Sequence, residues 1–316
     1  MTDRVIAPRR DEATFARLLD AIRPGARLAA LTPLPGGVSG VITAIDVANL
    51  DASHERLVVW QHGRAGASDG AMREFRLLQL LAESGYPAPV PVFVDSTRTF
   101  FPAPVVAARY IDGAPDLTLS LVPDGVQQMA DALARLHTID LARHRLDFLP
   151  AVRETLHRLL FDATAEPDSS PDERRVREAM IRAWPAVPAR ASVILHGDFW
   201  PGNLLWHDSR LAGVIDWEDA AIGDPLFDLA AARLELHWAR DGDAVDALTR
   251  RYLAQTGMTE PVDLPFWDLS AALDPILNLH TWGHPPDTEA MMRRKLIGFV
   301  NDAIERLLRM DLPAIP

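Results

Sequence analysis

Asp198, Asn203 and Asp216 lie close together along the chain, and their side chains have the chemistry that phosphoryl transfer requires. The carboxylate of Asp216 and the amide oxygen of Asn203 are hard oxygen ligands of the kind that Mg²⁺ binds. The separate carboxylate of Asp198 could orient an attacking hydroxyl group and accept its proton. An aspartate with an ordinary pKa is ionised at neutral pH, as this role requires. These residue types indicate magnesium-dependent transfer of a phosphoryl group.

A β-hairpin is predicted between Asn203 and Asp216. Its two strands are the apolar runs 204–206 and 211–215, on either side of a polar turn sequence. With the turn centred between Asp208 and Ser209, antiparallel pairing places Asn203 opposite Val214. The hairpin would therefore bring the amide of Asn203 close to the carboxylate of Asp216.

The residues before the hairpin supply the third side chain. An apolar run over 192–195 predicts a short buried strand that leads into His196-Gly197-Asp198. Taken singly, an aspartate or asparagine at such a place is more often a turn or capping residue, and His196 alone is more often structural than catalytic. The order and spacing of the whole set favour a functional site over these separate structural roles.

The elements that must position these residues fall into two groups. The first group has helices predicted over 11–23 and 68–84 and strands predicted over 27–34, 41–47, 57–62, 90–95 and 104–111. This order is typical of an α+β unit built on an antiparallel sheet. After Asp112-Gly113 the pattern becomes helical, with helices predicted over 125–138, 151–161, 171–184, 225–240, 244–256 and 288–310 and an exposed polar loop over 162–170. We therefore expect domains of residues 1–111 and 112–316, with a ligand crevice between them.

Composition narrows the range of partners. The formal net charge of -12 disfavours nucleic acid and is compatible with a neutral or cationic small substrate. No segment approaches the roughly 18 apolar residues of a membrane helix, and no apolar stretch near residue 1 indicates a secretory signal. The chain has no cysteine, so a cytoplasmic location without disulfides is the simplest expectation. Lys295 is its only lysine.

Four motifs resemble the signature of the aminoglycoside phosphotransferase-like kinases. They are His196-Gly197-Asp198 with Asn203, Ile215-Asp216-Trp217, Gly223-Asp224-Pro225 and Asp228-Leu229-Ala230. The resemblance implies a bilobal, protein-kinase-like fold, with a small antiparallel-sheet N-terminal lobe and a larger, mainly helical C-terminal lobe. It also implies transfer of the γ-phosphoryl group of ATP or GTP to a hydroxyl of a small substrate. Asp198 would be the base, Asn203 and Asp216 would hold Mg²⁺, and Asp224 and Asp228 would support the site.

The resemblance also assigns nucleotide-binding residues in the first domain. The phosphate-covering loop would contain Gly36, Gly37, Ser39 and Gly40, although glycine clusters are more often plain turns. Backbone groups near Ala107 and Tyr110 would contact the base. Glu74 resembles the helical glutamate that pairs with a strand-borne cation in kinases, although a solvated helix charge is the alternative.

The sequence departs from the family at that cation. The strand 57–62 should end in a lysine or arginine that contacts the phosphates, and it has neither. Alternation along the strand puts Val58, Trp60 and His62 on one face, so His62 or Arg64 could take over the contact. Loss of a charge-assisted phosphate contact would cost roughly 1.5–3 kcal/mol.

The acceptor pocket is implied to come from the C-terminal helices, roughly residues 150–185 and 230–310. Candidate wall residues are Trp238, Trp267, Trp282 and His280, although aromatic residues at helical spacing more often belong to the core. Acidic residues there would suit a cationic acceptor.

Two other kinds of protein stay open. One is a pseudokinase or regulatory module that binds nucleotide, or a partner, without turnover, which the missing strand cation favours. The other is a metal-dependent hydrolase using His196, Asp198 and Asp216, which is disfavoured because the sequence has no HExxH-like or multi-histidine cluster.

Overall fold

The computed structural model describes residues 12–35, 40–63, 67–120, 122, 124–141, 144–162, 171–240 and 242–309. The chain divides into two compact units. Unit 1 consists of Met1–Gly113 and Ala212–Glu218, and unit 2 of Ala114–Leu211 and Asp219–Pro316. Asp216 therefore belongs to unit 1, whereas Asp198 and Asn203 belong to unit 2.

Unit 1 is built on one antiparallel sheet. Its elements are α1 (Glu12–Ile22), β1 (Arg27–Pro33), β2 (Gly40–Ala48), β3 (His54–His62), α2 (Ala67–Glu83), β4 (Pro91–Asp95) and β5 (Val105–Arg109). The strand order is β1–β2–β3–β5–β4, and every neighbouring pair runs antiparallel. The predicted α+β organisation of this part of the chain is confirmed.

The core of unit 1 lies between α1 and the sheet. The apolar stripe of α1, which recurs every three or four residues, is buried against alternating apolar residues of the strands. This cluster comprises Phe15, Leu18, Leu19, Ile22, Ile45, Val47, Leu57, Val59, Phe101, Val105 and Ala107. Burial of one face of β3 leaves the opposite face, with Trp60 and His62, for other contacts.

Unit 2 is mainly helical. Its helices are α3 (Gly125–His137), α4 (Val152–Phe161), α5 (Pro171–Ala183), α6 (Leu226–Ala239), α7 (Gly242–Thr256), α8 (Leu264–Asn278) and α9 (Pro286–Leu308). Its short strands are β6 (Ala114–Pro115), β7 (Val193–Leu195), β8 (Leu204–His207) and β10 (Ala221–Gly223), and β9 (Arg210–Val214) begins in this unit and ends in unit 1. β10 pairs antiparallel with β7, and a second sheet has the order β6–β8–β9.

The turn between β8 and β9 has the predicted place and geometry. Asp208 and Ser209 have φ values of 47° and 61°, so both lie in the left-handed region. A two-residue hairpin turn with positive φ at both positions matches the twist of the flanking strands. The side-chain amide of Gln128 donates to the carbonyl of Ser209 and accepts from the N–H of Leu211, which ties the hairpin to α3.

Helix α8 was not predicted, and its prolines explain why. Pro265 lies in the first turn, where its missing N–H is harmless, but Pro275 lies inside the helix and removes one backbone hydrogen bond. Proline residues interrupt the helical pattern of this segment in the sequence. The helix persists because nearly all of its apolar side chains are buried, so tertiary packing outweighs the local cost.

The C-terminal end of α6 is held by Lys295, the only lysine in the sequence. Its ammonium Nζ donates to the carbonyl oxygens of His237, Trp238 and Arg240 at 2.8, 3.1 and 3.0 Å. A cation suits this place because the last carbonyls of a helix lack partners within the helix and carry partial negative charge. Among the helices of the described ranges, none is long and apolar enough to cross a membrane.

Candidate active site

In unit 2, Asp198 and Asn203 are in direct contact. The amide Nδ2 of Asn203 donates to the main-chain carbonyl of Asp198 at 2.9 Å and to its carboxylate Oδ2 at 3.0 Å. Asn203 ends a short 3₁₀ turn, Pro201–Asn203, and its side chain is buried. Because both bonds use the amide nitrogen, the carbonyl end of the amide stays available as an oxygen ligand.

The backbone that carries Asp198 is fixed by Asp228. The N–H of His196 donates to Oδ2 of Asp228 at 2.7 Å, and the N–H of Gly197 donates to Oδ1 at 3.0 Å. Asp228 is fully buried near the start of α6, so it acts as a rigid anchor. The N–H of Asp198 in turn donates to Nδ1 of His196 at 3.2 Å. This gives His196 a structural part in the loop.

Gly197 is required by this loop geometry. Its φ is 86°, and a Cβ added there would lie 2.2 Å from the carbonyl oxygen of Asp219. Only glycine tolerates both the left-handed backbone and this close approach. The close approach brings Asp219, which the sequence did not single out, beside the loop that carries Asp198.

Burial raises the pKa of the Asp198 carboxyl above its ordinary value. His196 and the hydrogen bond from Asn203 act in the opposite direction, and the charges of Asp219 and Asp228 add to the rise. A half-buried carboxylate with a raised pKa is a stronger proton acceptor than an exposed one, which suits a general base.

Asp224 is held in a partly buried ionic cluster with Arg190 and Asp263. The guanidinium of Arg190 donates to Asp224 at 3.0 Å and to both oxygens of Asp263 at 2.7 and 2.5 Å. Asp224 also accepts from the N–H of Leu226, the first residue of α6. The cluster fixes the start of α6 and thus the place of Asp228.

In unit 1, Asp216 has a strained backbone. Its φ is 68°, a left-handed conformation that residues other than glycine rarely adopt. Trp217 stabilises it, because its indole Nε1 donates to the carbonyl of Val214 at 2.9 Å and its ring packs edge-on against Tyr86. Non-glycine residues in this region tend to occur at functional sites.

Glu74 is buried in unit 1 and receives two ring groups from β3. Nε1 of Trp60 donates to its Oε2 at 2.9 Å, and Nε2 of His62 lies 3.2 Å from the same oxygen without the alignment of a hydrogen bond. Burial raises the pKa of Glu74 to about 8, and the charges of Asp216 and Glu218 add to the rise. Burial also lowers the pKa of His62 to about 4.

Gly40 faces His62 directly across the β2–β3 pair. A Cβ at Gly40 would lie 2.2 Å from the carbonyl oxygen of Gln61, so the strands can approach this closely only with glycine. The structure thus brings the end of the predicted glycine loop next to the candidate phosphate contact. Gly36, Gly37, Ser39 and Arg64 lie outside the described residues.

The two candidate base-contacting residues differ in position. Ala107 is buried in β5 and pairs with Val59 of β3 and Phe93 of β4. Tyr110 follows the strand, and its N–H donates to the carbonyl of Arg56, whose guanidinium lies over its ring. Tyr110 is therefore more accessible than Ala107.

Of the candidate wall residues in unit 2, two are core residues. Trp267 is 1% exposed, and Trp238 is 7% exposed with its Nε1 donating to the carbonyl of Met292. Trp282 is 39% exposed and packs edge-on against Trp238, and His280 is exposed. Trp282 and His280 remain candidates.

Glu235 is an acidic residue of this region that the sequence did not single out. It lies on α6 seven residues, or two helical turns, after Asp228, and thus on the same face of the helix. Burial raises the pKa of Glu235 to about 8, and the charge of Asp198 adds to the rise. In the sequence, only its seven-residue spacing from Asp228 could have indicated that Glu235 lies on the same helix face as the site.

A model of the phosphotransferase enzyme family (APH) matches residues 31–264. The chain belongs to this family. The match confirms the family that the four sequence motifs predicted. Among curated APH relatives, the chain is 28% identical to viomycin phosphotransferase of Streptomyces vinaceus over 247 residues, which cover 69% of this chain and 77% of that protein.

Other relatives are much longer than the matched segment. Acyl-CoA dehydrogenase family member 10 of Mus musculus is 27% identical over 172 residues, which cover 50% of this chain and 16% of that protein. Acyl-CoA dehydrogenase family member 11 of Pongo abelii is 26% identical over 183 residues, which cover 53% of this chain and 23% of that protein. The chain thus spans less than a quarter of the length of these two relatives.

Solved structures of phosphotransferases share the fold. Macrolide 2′-phosphotransferase MphH of Brachybacterium faecium superposes with a TM-score of 0.64, 20% identity and coverage of 91% of this chain and 97% of that one. Aminoglycoside phosphotransferase APH(4)-Ia gives a TM-score of 0.65, 16% identity and coverage of 92% and 99%. The predicted α+β, protein-kinase-like fold is confirmed.

Proposed function

We propose that this APH-family enzyme transfers the γ-phosphoryl group of ATP or GTP to a hydroxyl of a small substrate, with Asp198 as the general base. The observation that carries the proposal is the fixed geometry of Asp198. Asn203 holds its carboxylate at 3.0 Å, and buried Asp228 holds the preceding two backbone N–H groups. Such pre-organisation is what a reaction governed by positioning and electrostatics requires.

In the proposed reaction the acceptor hydroxyl attacks the γ-phosphorus of the nucleotide. The new bond joins the acceptor oxygen to phosphorus, and the bond from phosphorus to the β,γ-bridging oxygen breaks, so the nucleoside diphosphate leaves with that electron pair. Asp198 accepts the hydroxyl proton through its carboxylate. The raised pKa of Asp198 favours this acceptance.

Asn203 and Asp216 have the right donor atoms for Mg²⁺. The hydrogen bonds of Asn203 leave its amide oxygen as the ligand end, and Asp216 offers a carboxylate. Among the described residues there is no cluster of three histidine, aspartate and glutamate side chains that would form an all-protein metal site. Magnesium sites in kinases take their remaining ligands from phosphates and water. Bound Mg²⁺ would neutralise the charge of the nucleotide phosphates.

Residues 1–111 would form the nucleotide-binding domain and residues 112–316 the catalytic and substrate-binding domain. We assign phosphate binding to Gly36, Gly37, Ser39, Gly40 and His62, support of His62 to Glu74, and contact with the base to Ala107 and Tyr110. Nucleotide use is supported by relatives in the solved structures: APH(4)-Ia variants were crystallised with AMP-PNP or ADP together with hygromycin B, and an aminoglycoside 2′-phosphotransferase with GDP.

The acceptor would be a small hydroxylated molecule, and a cationic one suits the site best. Glu235 lies on the Asp228 face of α6, and a bound cation would lower its pKa from about 8 and so favour the charged carboxylate. The net charge of -12 also favours a cationic acceptor over nucleic acid. A cytoplasmic location remains a prediction.

A second candidate function is nucleotide binding without turnover. His62 occupies the position where the family resemblance calls for a permanent cation, and burial lowers its pKa to about 4. Its imidazole would then be neutral at pH 7, which would weaken phosphate binding.

Calorimetric titration of Mg-ATP and Mg-GTP into the wild-type protein and Asp216→Ala tests nucleotide use. Magnesium-dependent binding that Asp216→Ala loses would support the proposed site. Hydroxylated acceptors, beginning with aminoglycosides and macrolides, are then screened by mass spectrometry for a phosphorylated product. Binding without any product across that screen would favour the second candidate, and no binding up to millimolar nucleotide would overturn both.

A further inference from the structure

Three buried side chains from three helices form a continuous chain in unit 2. Nδ1 of His137, the last residue of α3, lies 2.7 Å from the hydroxyl oxygen of Tyr252 in α7. Nε2 of the same imidazole lies 3.3 Å from Oδ2 of Asp228 in α6. Tyr252 and Asp228 are fully buried, and the His137 side chain is 2% exposed. The hydrogen bonds of this chain are therefore shielded from bulk water.

The acceptor capacity of Asp228 fixes the direction of these hydrogen bonds. A carboxylate only accepts, so Nε2 of His137 must carry a hydrogen and donate it to Oδ2. In a neutral imidazole the other nitrogen then accepts, so the Tyr252 hydroxyl donates to Nδ1. Burial, with the charges of Asp228 and Asp224, raises the pKa of Tyr252, which keeps its hydroxyl protonated as this donor role requires.

The same carboxylate that ends this chain holds the loop of the candidate base. Oδ2 of Asp228 accepts from the N–H of His196, and Oδ1 accepts from the N–H of Gly197. The imidazole of His137 limits rotation of the carboxylate, because it holds Oδ2 from α3 while the loop N–H groups hold both oxygens. Buried hydrogen-bond networks with every member satisfied are rigid and resist rearrangement.

We propose that Tyr252 and His137 are positioning residues, which orient the Asp228 carboxylate and through it the backbone that presents Asp198. The proposal rests on the proposed function only in naming Asp198 as the base. The contacts themselves concern the loop 196–198, whatever its chemistry is. Among the described residues, no hydrogen bond joins His137 or Tyr252 to Asp198, so we expect their substitution to leave nucleotide binding unchanged.

The tautomer of His137 tests the direction of the chain without any substrate. In ¹⁵N-histidine-labelled wild-type protein, we expect the hydrogen bonds of His137 to place hydrogen on Nε2 and none on Nδ1, assigned by comparison with His137→Gln. Its Nε2–H should exchange slowly with solvent. A hydrogen on Nδ1, in either the neutral or the protonated ring, would overturn the proposed direction.

Two substitutions of His137 separate positioning from packing. The amide of His137→Gln can reach the place of Nε2 and donate to Asp228, whereas the shorter amide of His137→Asn occupies the place of Nδ1 and reaches only Tyr252. We expect the N–H groups of His196 and Gly197 to exchange about 10-fold faster in His137→Asn than in His137→Gln, which is the change for one charge-assisted hydrogen bond. Equal exchange in both variants would overturn the positioning role.

Turnover provides a second readout with the same pair. With Mg-ATP and an acceptor found by the screen, kcat should fall about 10-fold in His137→Asn, with KM for nucleotide unchanged and with His137→Gln close to wild type. Equal kcat values, or a change confined to KM, would overturn the positioning role. If the wild-type protein shows no turnover, the proposed function fails, and the exchange and tautomer measurements still decide the positioning role.

Discussion

Nε2 of His62 lies 3.2 Å from Oε2 of Glu74, and the indole of Trp60 donates to the same carboxyl oxygen at 2.9 Å. Burial lowers the pKa of His62 to about 4 and raises that of Glu74 to about 8. At pH 7 the pair is therefore a neutral imidazole beside a protonated carboxyl group. The family resemblance calls for a cation and a carboxylate at these two positions. The proposed nucleotide site thus lacks the charge on β3 that usually attracts phosphate.

Replacing His62 by lysine should restore that charge. The ammonium of His62→Lys would pair with Glu74 and reach the phosphates as a permanent cation. We expect Mg-ATP to bind about 10-fold more tightly, in line with one charge-assisted hydrogen bond, as measured by calorimetry at pH 7. His62→Gln is the neutral control and should not gain affinity. Equal affinities in the two variants would show that this position does not contact the phosphates.

Replacing Glu74 by glutamine should change how stability depends on pH. Below about pH 4.5 Glu74 is protonated in both the folded and the unfolded states. Between pH 4.5 and about 8 the unfolded state releases this proton and the folded state keeps it, so wild-type stability falls as pH rises. Glutamine does not titrate, so the Glu74→Gln protein should escape this loss.

Urea unfolding of the metal-free protein from pH 5 to pH 9 measures this difference. We expect the stability of Glu74→Gln relative to wild type to rise across the range, by about 1 kcal/mol or more at pH 8.5. His62 contributes the opposite slope, because its folded pKa is depressed and stability is lost as pH falls from 6.5 towards 4, but it does so in both proteins. Parallel curves for the two proteins would contradict the burial of an uncharged Glu74.

Asp198→Asn should remove the proton acceptor while keeping the shape of the loop. The side-chain amide still fits beside Asn203 but cannot accept the hydroxyl proton. We expect kcat to fall at least about 100-fold, with the Kd for Mg-ATP changed less than about 3-fold. The wild-type rate should be lost as pH falls through a pKa above the ordinary aspartate value of about 3.9, because burial raises the pKa of Asp198. Undiminished turnover in Asp198→Asn would remove Asp198 from the role of base.

The requirement for glycine at position 197 can be tested by comparing the stabilities of Gly197→Ala and Gly298→Ala. In Gly197→Ala the Cβ meets the carbonyl of Asp219 at 2.2 Å in a backbone with φ of 86°, so we expect a loss of about 2–4 kcal/mol in unfolding free energy. Gly298 lies inside α9 with nothing within 4 Å of a Cβ, so Gly298→Ala should stabilise by about 0.5–1 kcal/mol. Thermal unfolding of both variants measures the contrast. A stability loss at 197 no larger than about 0.5 kcal/mol would show that the loop can relax.

Features set by local pattern were predictable from the sequence. The hairpin turn at Asp208 and Ser209 followed from two apolar runs around polar turn residues, and both residues have the positive φ that such a turn needs. Alternation along β3 placed Trp60 and His62 on one face, and both contact Glu74. Side chains repeat every 2 residues in a strand and every 3.6 residues in a helix. Both patterns can be recognised in a short segment without knowledge of its tertiary contacts.

Features set by distant packing were not predictable. Helix α8 contains Pro275, and only the burial of its apolar side chains in unit 2 keeps it helical. Strands β6 and β10 are two and three residues long and exist because β8 and β7 are there to pair with them. The proximity of Glu235 to Asp198 depends on how α6 lies beside the loop, which no local pattern encodes.

The hydrogen bonds of Lys295 to the end of α6 also determine how this protein responds to chemical labelling. An amine-directed reagent finds one lysine side chain in the sequence, and its Nζ already donates to three carbonyls. Acylation of Lys295 would remove its hydrogen bonds to the C-terminal end of α6 and would give no information on nucleotide binding. A nucleotide analogue with an amine-reactive acyl group, designed to mark the lysine beside bound phosphates, has no lysine on β3 to modify. If the proposed function is correct, proteome surveys that detect kinases by lysine labelling would therefore overlook this protein.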